Sequence, residues 1–381
     1  MSKKTNPISE IVSSHRPDLD KEYVPLYKHF HAHPELSHQE KETGAKIAEH
    51  LSQTCPEVQL HTNIGGHGLA GVLKNGSGPI VLLRADIDGL PVLEKSGLAW
   101  TSTKRMVDLE GVEKPTMHAC GHDIHITSLL AAASLLYNSR DTWSGTLIFC
   151  FQPAEEKGQG AQAMVDDGLY EKVPIPDVVL GGHVMPMRAG TLGTKRGLMA
   201  SSADSLKVTL HGKGGHASQP HRLVDPVVMA ASTVMRLQTI VSREVDPADN
   251  AVVTCACIIA GDAENVVADD AILKLDLRAV NAETRSKVLS SVKRIVNAES
   301  MASGAVKDPD FETTRNFPLT INDEEVTQRL EESFTEHFGT DKNSYTSSAA
   351  KLGGSEDFGI LGEFILTCSS LTLICMSCRM S

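Results

Sequence analysis

The sequence predicts an α/β protein in which a doubly wound, mostly parallel sheet is interrupted by an inserted ferredoxin-like α+β unit. Three features carry that expectation. Short apolar runs that read as buried strands alternate with helical stretches through the first half of the chain. Side chains able to bind a metal or move a proton follow several of these runs directly, where an open α/β sheet places its active site. Beyond about Ala200 the order becomes strand, helix, two strands, helix, strand, which is βαββαβ.

Taken in order, His33-Pro34-Glu35 is expected to open a helix that runs through residues 43–51. Residues 69–73 and 80–84 read as strands, and 124–137 as a helix with apolar residues on most sides, hence buried. Residues 146–151 and 178–182 are the next two strands. In the insert, Leu206, Val208 and Leu210 alternate with polar residues as a half-buried strand requires. Residues 224–242 suit a helix, 251–260 and 271–280 two strands, 282–303 a helix and 306–313 a last strand, with 315–319 leading back. The expected division is a split metal-binding domain of residues 1–199 and 313–381 around an insert of residues 200–312.

At 381 residues, 41% of them hydrophobic, the chain has room for two or three domains of roughly 150 residues each. A formal charge of −12 and the lack of any basic run argue against nucleic acid as a partner. No stretch reaches the roughly 18 apolar residues of a membrane span, and the polar N-terminus lacks the apolar core of a secretory signal. Eight irregularly spaced cysteines do not read as a disulfide framework, so a reducing, cytoplasmic compartment is expected.

The densest chemistry lies in His118-Ala119-Cys120-Gly121-His122-Asp123, on a glycine-containing turn ahead of the apolar helix. Cys and His suit zinc, and carboxylates extend the range towards manganese. Glu155-Glu156 and His183 add ligand-type groups after the next two strands. Amide hydrolysis needs a strong nucleophile and a polarised carbonyl, and a bound metal supplies both by lowering the pKa of its water to ~7. Of two adjacent carboxylates, one can ligate while its neighbour takes the proton from water and hands it to the leaving nitrogen. Singly, each group has a blander reading: an inert thiol for Cys120, a core histidine for His183, a solvated loop for the glutamates. Their coincidence at strand ends outweighs those readings. Arg84-Ala85-Asp86-Ile87-Asp88 also stands just past a strand, where a carboxylate can orient a ligand histidine, with a turn or cap as the competing reading for Asp88. His31, His33 and His38 read as a surface cluster. In the insert, the glycines of Gly212-Lys213-Gly214-Gly215-His216-Ala217-Ser218 give His216 reach towards a substrate. Asn265 and Arg278 are polar groups able to hold an oxyanion or a carboxylate.

At these residues the chain resembles the aminoacylase and carboxypeptidase type of di-metal metallopeptidase, in particular the N-acyl-amino-acid amidohydrolase branch that includes hippurate hydrolase and plant auxin-conjugate hydrolases. The matching motifs, in order, are His33-Pro34-Glu35-Leu36-Ser37, Arg84 to Asp88, His118 to Asp123, Gln152 to Glu156, Gly182-His183, Gly215-His216-Ala217 and Gly354-Ser355-Glu356-Asp357-Phe358. The resemblance implies Cys120, His122, Glu156 and His183 as metal ligands, Glu155 as general base, and Asp86 in the catalytic centre. It implies the insert as a lid that also dimerises, with His216 stabilising the tetrahedral intermediate and Asn265 and Arg278 near the substrate. It also implies Mn2+ or Zn2+, two per chain in similar enzymes, a small N-acyl amino acid substrate and a homodimer. One departure stands out. Similar enzymes place a further ligand in a His-x-Pro motif after the Gly-Ser-Glu-Asp-Phe segment, whereas the last histidine here is His337. On that reading residues 359–381 form an aberrant end, one metal binds tightly, and activity falls below that of relatives. The competing functions are a catalytically impaired relative acting as a binding or regulatory dimer, and a di-metal dipeptidase or carboxypeptidase.

Overall fold

The structure, a computed structural model, describes residues 7–186, 188–339, 341, 343–352, 354–363 and 371–376. They form two compact units: one of the residues up to Met199 with Thr320–Lys351 and those from Asp357 on, the other of Ala200–Leu319 and Leu352–Glu356.

In the first unit, helices α1 (Val24–Ala32) and α2 (Lys41–Thr54) precede strands β1 (Gln59–Ile64), β2 (Gly68–Asn75) and β3 (Ile80–Asp86). Helix α3 (His122–Asn138) leads to β4 (Gly145–Gln152) and β5 (Val178–Val184). The eight-stranded sheet runs β1-β2-β4-β3-β5, then Leu371–Met376, Leu192–Gly193 and Tyr345–Thr346. Its centre is parallel, β3 lying between β4 and β5, while the β1–β2 hairpin joins β4 antiparallel. The chain leaves β3 for β4 on one side and returns to β5 on the other, a topological switch point whose crevice lies beyond the carboxyl ends of these strands. One face of the sheet is sealed by the three helices: Phe30, Ile47, Leu51, Ile126 and Leu130 pack with Leu69, Leu73, Phe149 and Phe151. Each such burial is worth about 1.5–3 kcal/mol before entropy is charged against it.

Three expectations change here. The helix expected from His33 begins at Lys41, because Pro34 disfavours helical backbone at the residue before it and His33 ends α1 with φ −126° and ψ 47°. The intervening link is pinned by Glu35, whose Oε2 accepts hydrogen bonds from Thr43 N (2.8 Å) and Thr43 Oγ1 (2.9 Å) and so caps α2. The segment set aside as an aberrant end contains a strand of the main sheet: Leu371–Met376 runs parallel to β5, with Cys375 opposite His183. An unbroken Leu-Thr-Leu-Ile run suits a strand paired on both edges. Of the cysteines in this segment, Cys368 and Cys378 lie outside the described residues. Third, the last strand of the insert is not 306–313 but Asp310–Phe317, since its pairing with the insert's first strand continues to Ala203 opposite Phe317; residues 315–317, expected to lead back, belong to it.

The second unit is a four-stranded antiparallel sheet of β6 (Ser202–His211), β7 (Ala251–Ile259), β8 (Asp270–Ala279) and β9 (Asp310–Phe317), ordered β7-β8-β6-β9. With α4 (Pro226–Thr239) after β6 and α5 (Ala282–Ala302) after β8, this is the ferredoxin-like arrangement. Asp225 and Asn281 cap the two helices through side-chain oxygens. Leu206, Val208, Leu273 and Leu275 on the sheet meet Met229, Leu237, Val292 and Ile295 on the helices.

Candidate metal centre

Three segments at the ends of β3, β4 and β5, together with the first turn of α3, build the site. Past β3, Asp86 is fully buried and accepts from Arg84 (2.7 Å), while His125 Nδ1 lies 2.6 Å from its other oxygen. Burial alone would raise its pKa, but Arg84, His122 and His125 hold it well below the usual carboxylate range. Arg84 is itself fixed by Gln152 (2.8 Å) and Asp357 (3.3 Å). His125 is spent as a brace: Nδ1 meets Asp86, and Nε2 accepts from Val184 N (2.8 Å). Burial pushes its pKa down to about 4. The neutral ring therefore ties β3 to the residue next to His183 and has no lone pair left for a metal.

Asp88 performs the orienting role. Its backbone oxygen accepts from His122 Nδ1 (2.8 Å), and its Oδ1 lies 3.2 Å from the same nitrogen. Its Oδ2 accepts from Ser37 Oγ (2.7 Å) and from Glu156 N (3.0 Å). One residue thus fixes both a ligand-type imidazole, through its backbone oxygen, and the backbone of a ligand-type glutamate, through its carboxylate. His122 opens α3 behind Gly121, whose φ of +85° and a virtual Cβ 2.2 Å from Val184 Cγ2 call for glycine. With Nδ1 committed to Asp88, Nε2 is the atom left to bind a metal. In the metal-free protein burial opposes a charge on the ring, but Asp86 and Asp88 raise its pKa well above the usual value, so a cation takes the place of a proton there. Nε2 is buried without a hydrogen bond, 3.5 Å from Asp86 and 3.9 Å from each of Glu155 and Glu156.

Cys120 Sγ lies 3.5 Å from His183 Nε2, whose other nitrogen meets Val184 O at 2.6 Å. Burial would raise the thiol's pKa, but the imidazoles of His122 and His183 bring it down to about 6, so the thiolate prevails at neutral pH. Glu155 and Glu156 project from a short turn after Ala154, a non-glycine residue at φ +49°. Glu155 is buried. Glu156 Oε1 is buried with no hydrogen bond, and burial lifts this carboxyl to about 8.

These residues fit a divalent metal. Ligand atoms of Cys120, His122 and His183 lie within 4.8 Å of one another, as do those of His122, Glu155 and Glu156. Two of them, His122 Nε2 and Glu156 Oε1, are buried polar atoms with no hydrogen-bond partner among the described residues. A thiolate, two imidazoles and carboxylates form a borderline-to-hard donor set of the kind that takes zinc or manganese. The grouping of Asp86, His122 and His125 is a hydrogen-bond network, because His125 has already used both nitrogens.

Of the residues read from the sequence, Asp86, Cys120, His122, Glu155, Glu156 and His183 come together in the first unit. His216, Asn265 and Arg278 belong to the second. There His216 and Asn265 meet on a short ladder, Gly215–His216 pairing with Val266–Val267 and Ala217 N donating to Asn265 O (3.0 Å). Arg278 stands apart on β8, its Nε donating to Asp276 (2.9 Å). His31, expected at the surface, is buried between Asp123 (2.7 Å) and Glu94 (3.0 Å) because α1 packs against α3. The sequence reading gave no role to His125, Ser37 or Glu40. Only His125 carried a signal, one helical turn from His122. His118 is buried with neither nitrogen hydrogen-bonded, and burial lowers its pKa.

Residues 82–375 match the model of Peptidase family M20/M25/M40. The chain is 38% identical to hippurate hydrolase of Campylobacter jejuni over 350 residues, 91% of this chain and 86% of that protein. It is 33% identical to N-acetylcysteine deacetylase of Bacillus subtilis, covering 90% of this chain and 85% of that one. It is 32% identical to IAA-amino acid hydrolase ILR1-like 4 of Arabidopsis thaliana, covering 96% and 81%. The solved structure of a dinuclear metal-binding peptidase of the M20 family from Bacillus subtilis superposes with a TM-score of 0.72 at 28% identity, over 95% of this chain and 89% of that one.

Proposed function

The chain belongs to peptidase family M20/M25/M40, and from that premise we propose that it hydrolyses the amide bond of N-acyl amino acids or similar conjugates, using a divalent metal held by Cys120, His122, Glu156 and His183. The observation that carries the reading is the convergence of a thiolate, imidazoles and two glutamates on His122 Nε2, a buried nitrogen with no hydrogen bond. Relatives named for hydrolysing hippurate and IAA-amino acids and for deacetylating N-acetylcysteine support the substrate class.

When bound, such a cation lowers the pKa of its water to about 7 and polarises the scissile carbonyl. Glu155 accepts the proton of the attacking water and passes it to the leaving nitrogen. Glu156 serves as ligand, so the adjacent carboxylates divide the work. Asp88 fixes the tautomer of His122, and the Asp86–His125 brace fixes the end of β5 and with it His183. In the insert, His216 Nδ1 accepts from Ser218 Oγ (2.8 Å), which leaves the proton on Nε2 as a donor for the developing oxyanion. Asn265 and Arg278 bind the substrate's polar end. The insert acts as lid and dimerisation domain: β7 is an edge strand with Val252, Ile258 and Ile259 exposed, suited to pairing with its copy in a homodimer. The metal is Mn2+ or Zn2+, with one tight site per chain. Free Cys55, Cys120, Cys150, Cys255 and Cys257 support a reducing, cytoplasmic setting. Among the described residues no helix is long and apolar enough to cross a membrane.

The test is hydrolysis of hippurate, N-acetylcysteine and an indole-3-acetyl amino acid by protein loaded with Mn2+ or Zn2+, beside its metal content per chain. Metal-dependent release of the free amino acid is expected. Bound metal with no release from any conjugate would reject the reading in favour of a binding dimer.

A further inference from the structure

Among the described residues three non-glycine positions have left-handed backbone, His38 (φ +68°), Asn63 (φ +57°) and Ala154 (φ +49°). Two of them are held by one atom: Glu40 Oε1 accepts from His38 N (2.9 Å) and from Ala154 N (2.8 Å). Glu40 is completely buried, and its Oε2 has no hydrogen-bond partner. A second tie runs alongside: His38 Nε2 lies 2.9 Å from Gln159 Oε1, and Gln159 and Gly160 donate their N–H groups to Ala154 O. The turn is closed so tightly that a Cβ at Gly160 would sit 1.5 Å from Pro153 O. A residue with a Cβ pays for left-handed backbone by a factor of roughly 5 to 30 in population, and holds it only where its surroundings insist. Ala154 immediately precedes Glu155 and Glu156, so its φ and ψ set the direction in which both leave the sheet.

We propose that Glu40 is a positioning residue, whose Oε1 holds Ala154 in the left-handed conformation and thereby aims Glu155 and Glu156 into the metal centre. The inference rests on the roles given above to those two glutamates.

The experiment compares wild type, Glu40→Gln, Glu40→Asp, Ala154→Gly and the double variant Glu40→Asp/Ala154→Gly for kcat, KM, Mn2+ affinity by calorimetry and thermal unfolding. Glu40→Gln keeps the accepting oxygen and should stay within about threefold of wild type in kcat and affinity. Glu40→Asp keeps the carboxyl group but withdraws the oxygen by one methylene. It should lower kcat about tenfold or more at nearly constant KM and weaken Mn2+ several-fold. Glycine at 154 adopts the left-handed region freely, so the double variant should recover about fivefold or more of what Glu40→Asp loses. Glu40→Gln as damaged as Glu40→Asp, an unaffected Glu40→Asp, or no recovery in the double variant would each overturn the inference. If Glu40→Asp does not fold, its return to a soluble, Mn2+-binding protein with Ala154→Gly supports the inference, and failure to return overturns it. A wild type inactive on every conjugate defeats the hydrolase reading alone, because the Mn2+ affinities of the same variants still decide the role of Glu40.

Discussion

Replacing His31 with Gln tests the packing of α1 on α3 through its charge. The imidazole sits between Asp123 and Glu94 in a buried site. The hydrogen bond to Asp123, against the opposing effect of burial and with help from Glu94, raises its pKa from 6.5 to about 9. Because the folded value lies above the unfolded one, protonated His31 stabilises the fold fully below pH 6.5, progressively less from there to pH 9, and not at all above it. A rise from 6.5 to about 9 corresponds to about 3 kcal/mol, at 1.36 kcal/mol per tenfold change in proton affinity. Glutamine is neutral throughout, so it serves as the reference. Urea unfolding of metal-free protein, followed by tryptophan fluorescence, reads this unit selectively, since both tryptophans, Trp100 and Trp143, lie within it. The stability gap between wild type and His31→Gln should shrink by about 3 kcal/mol between pH 6 and pH 10, with most of the change between pH 6.5 and 9. A gap that stays constant over that range, or widens with pH, would show that His31 is neutral in the fold and refute the argument.

Other substitutions separate the roles within the metal centre. Glu155→Gln should abolish turnover with metal still bound, while Glu156→Gln should lower metal content itself; equal loss of activity with full metal in both would remove the division of labour. Asp88→Asn, which takes the charge from behind His122 and Glu156 N, should weaken metal binding about 10- to 100-fold by calorimetry. His216→Ala should reduce kcat by about 10² to 10³ with KM little changed, and a raised KM at normal kcat would assign it to ground-state binding. Lysine at Ile258, on the exposed edge of β7, should convert a homodimer into monomers in light scattering, and a wild type already monomeric at micromolar concentration would remove the dimer proposal.

The sequence by itself determined the fold class and most of the candidate ligands, because both depend on short-range order. An apolar run followed by a ligand-type side chain places that side chain at a strand end, so Glu155, Glu156 and His183 were legible with nothing known of strand order. Cys120 and His122 stand two residues apart around Gly121, and the βαββαβ rhythm of the insert is likewise a matter of succession along the chain. The tertiary structure decided what depends on through-space partners. The sequence favoured Asp86 and left a turn or cap open for Asp88, yet the first is engaged by Arg84 and His125 while the second holds His122, Ser37 and Glu156 N. His31 reads as a surface residue until α3 brings Asp123 against it. Leu371–Met376 acquires its meaning from β5, a partner almost two hundred residues earlier in the chain. A backbone or side-chain polar group in a buried site takes whichever complementary group the fold delivers, and that delivery is set by strand order and helix packing, which local residue patterns do not encode.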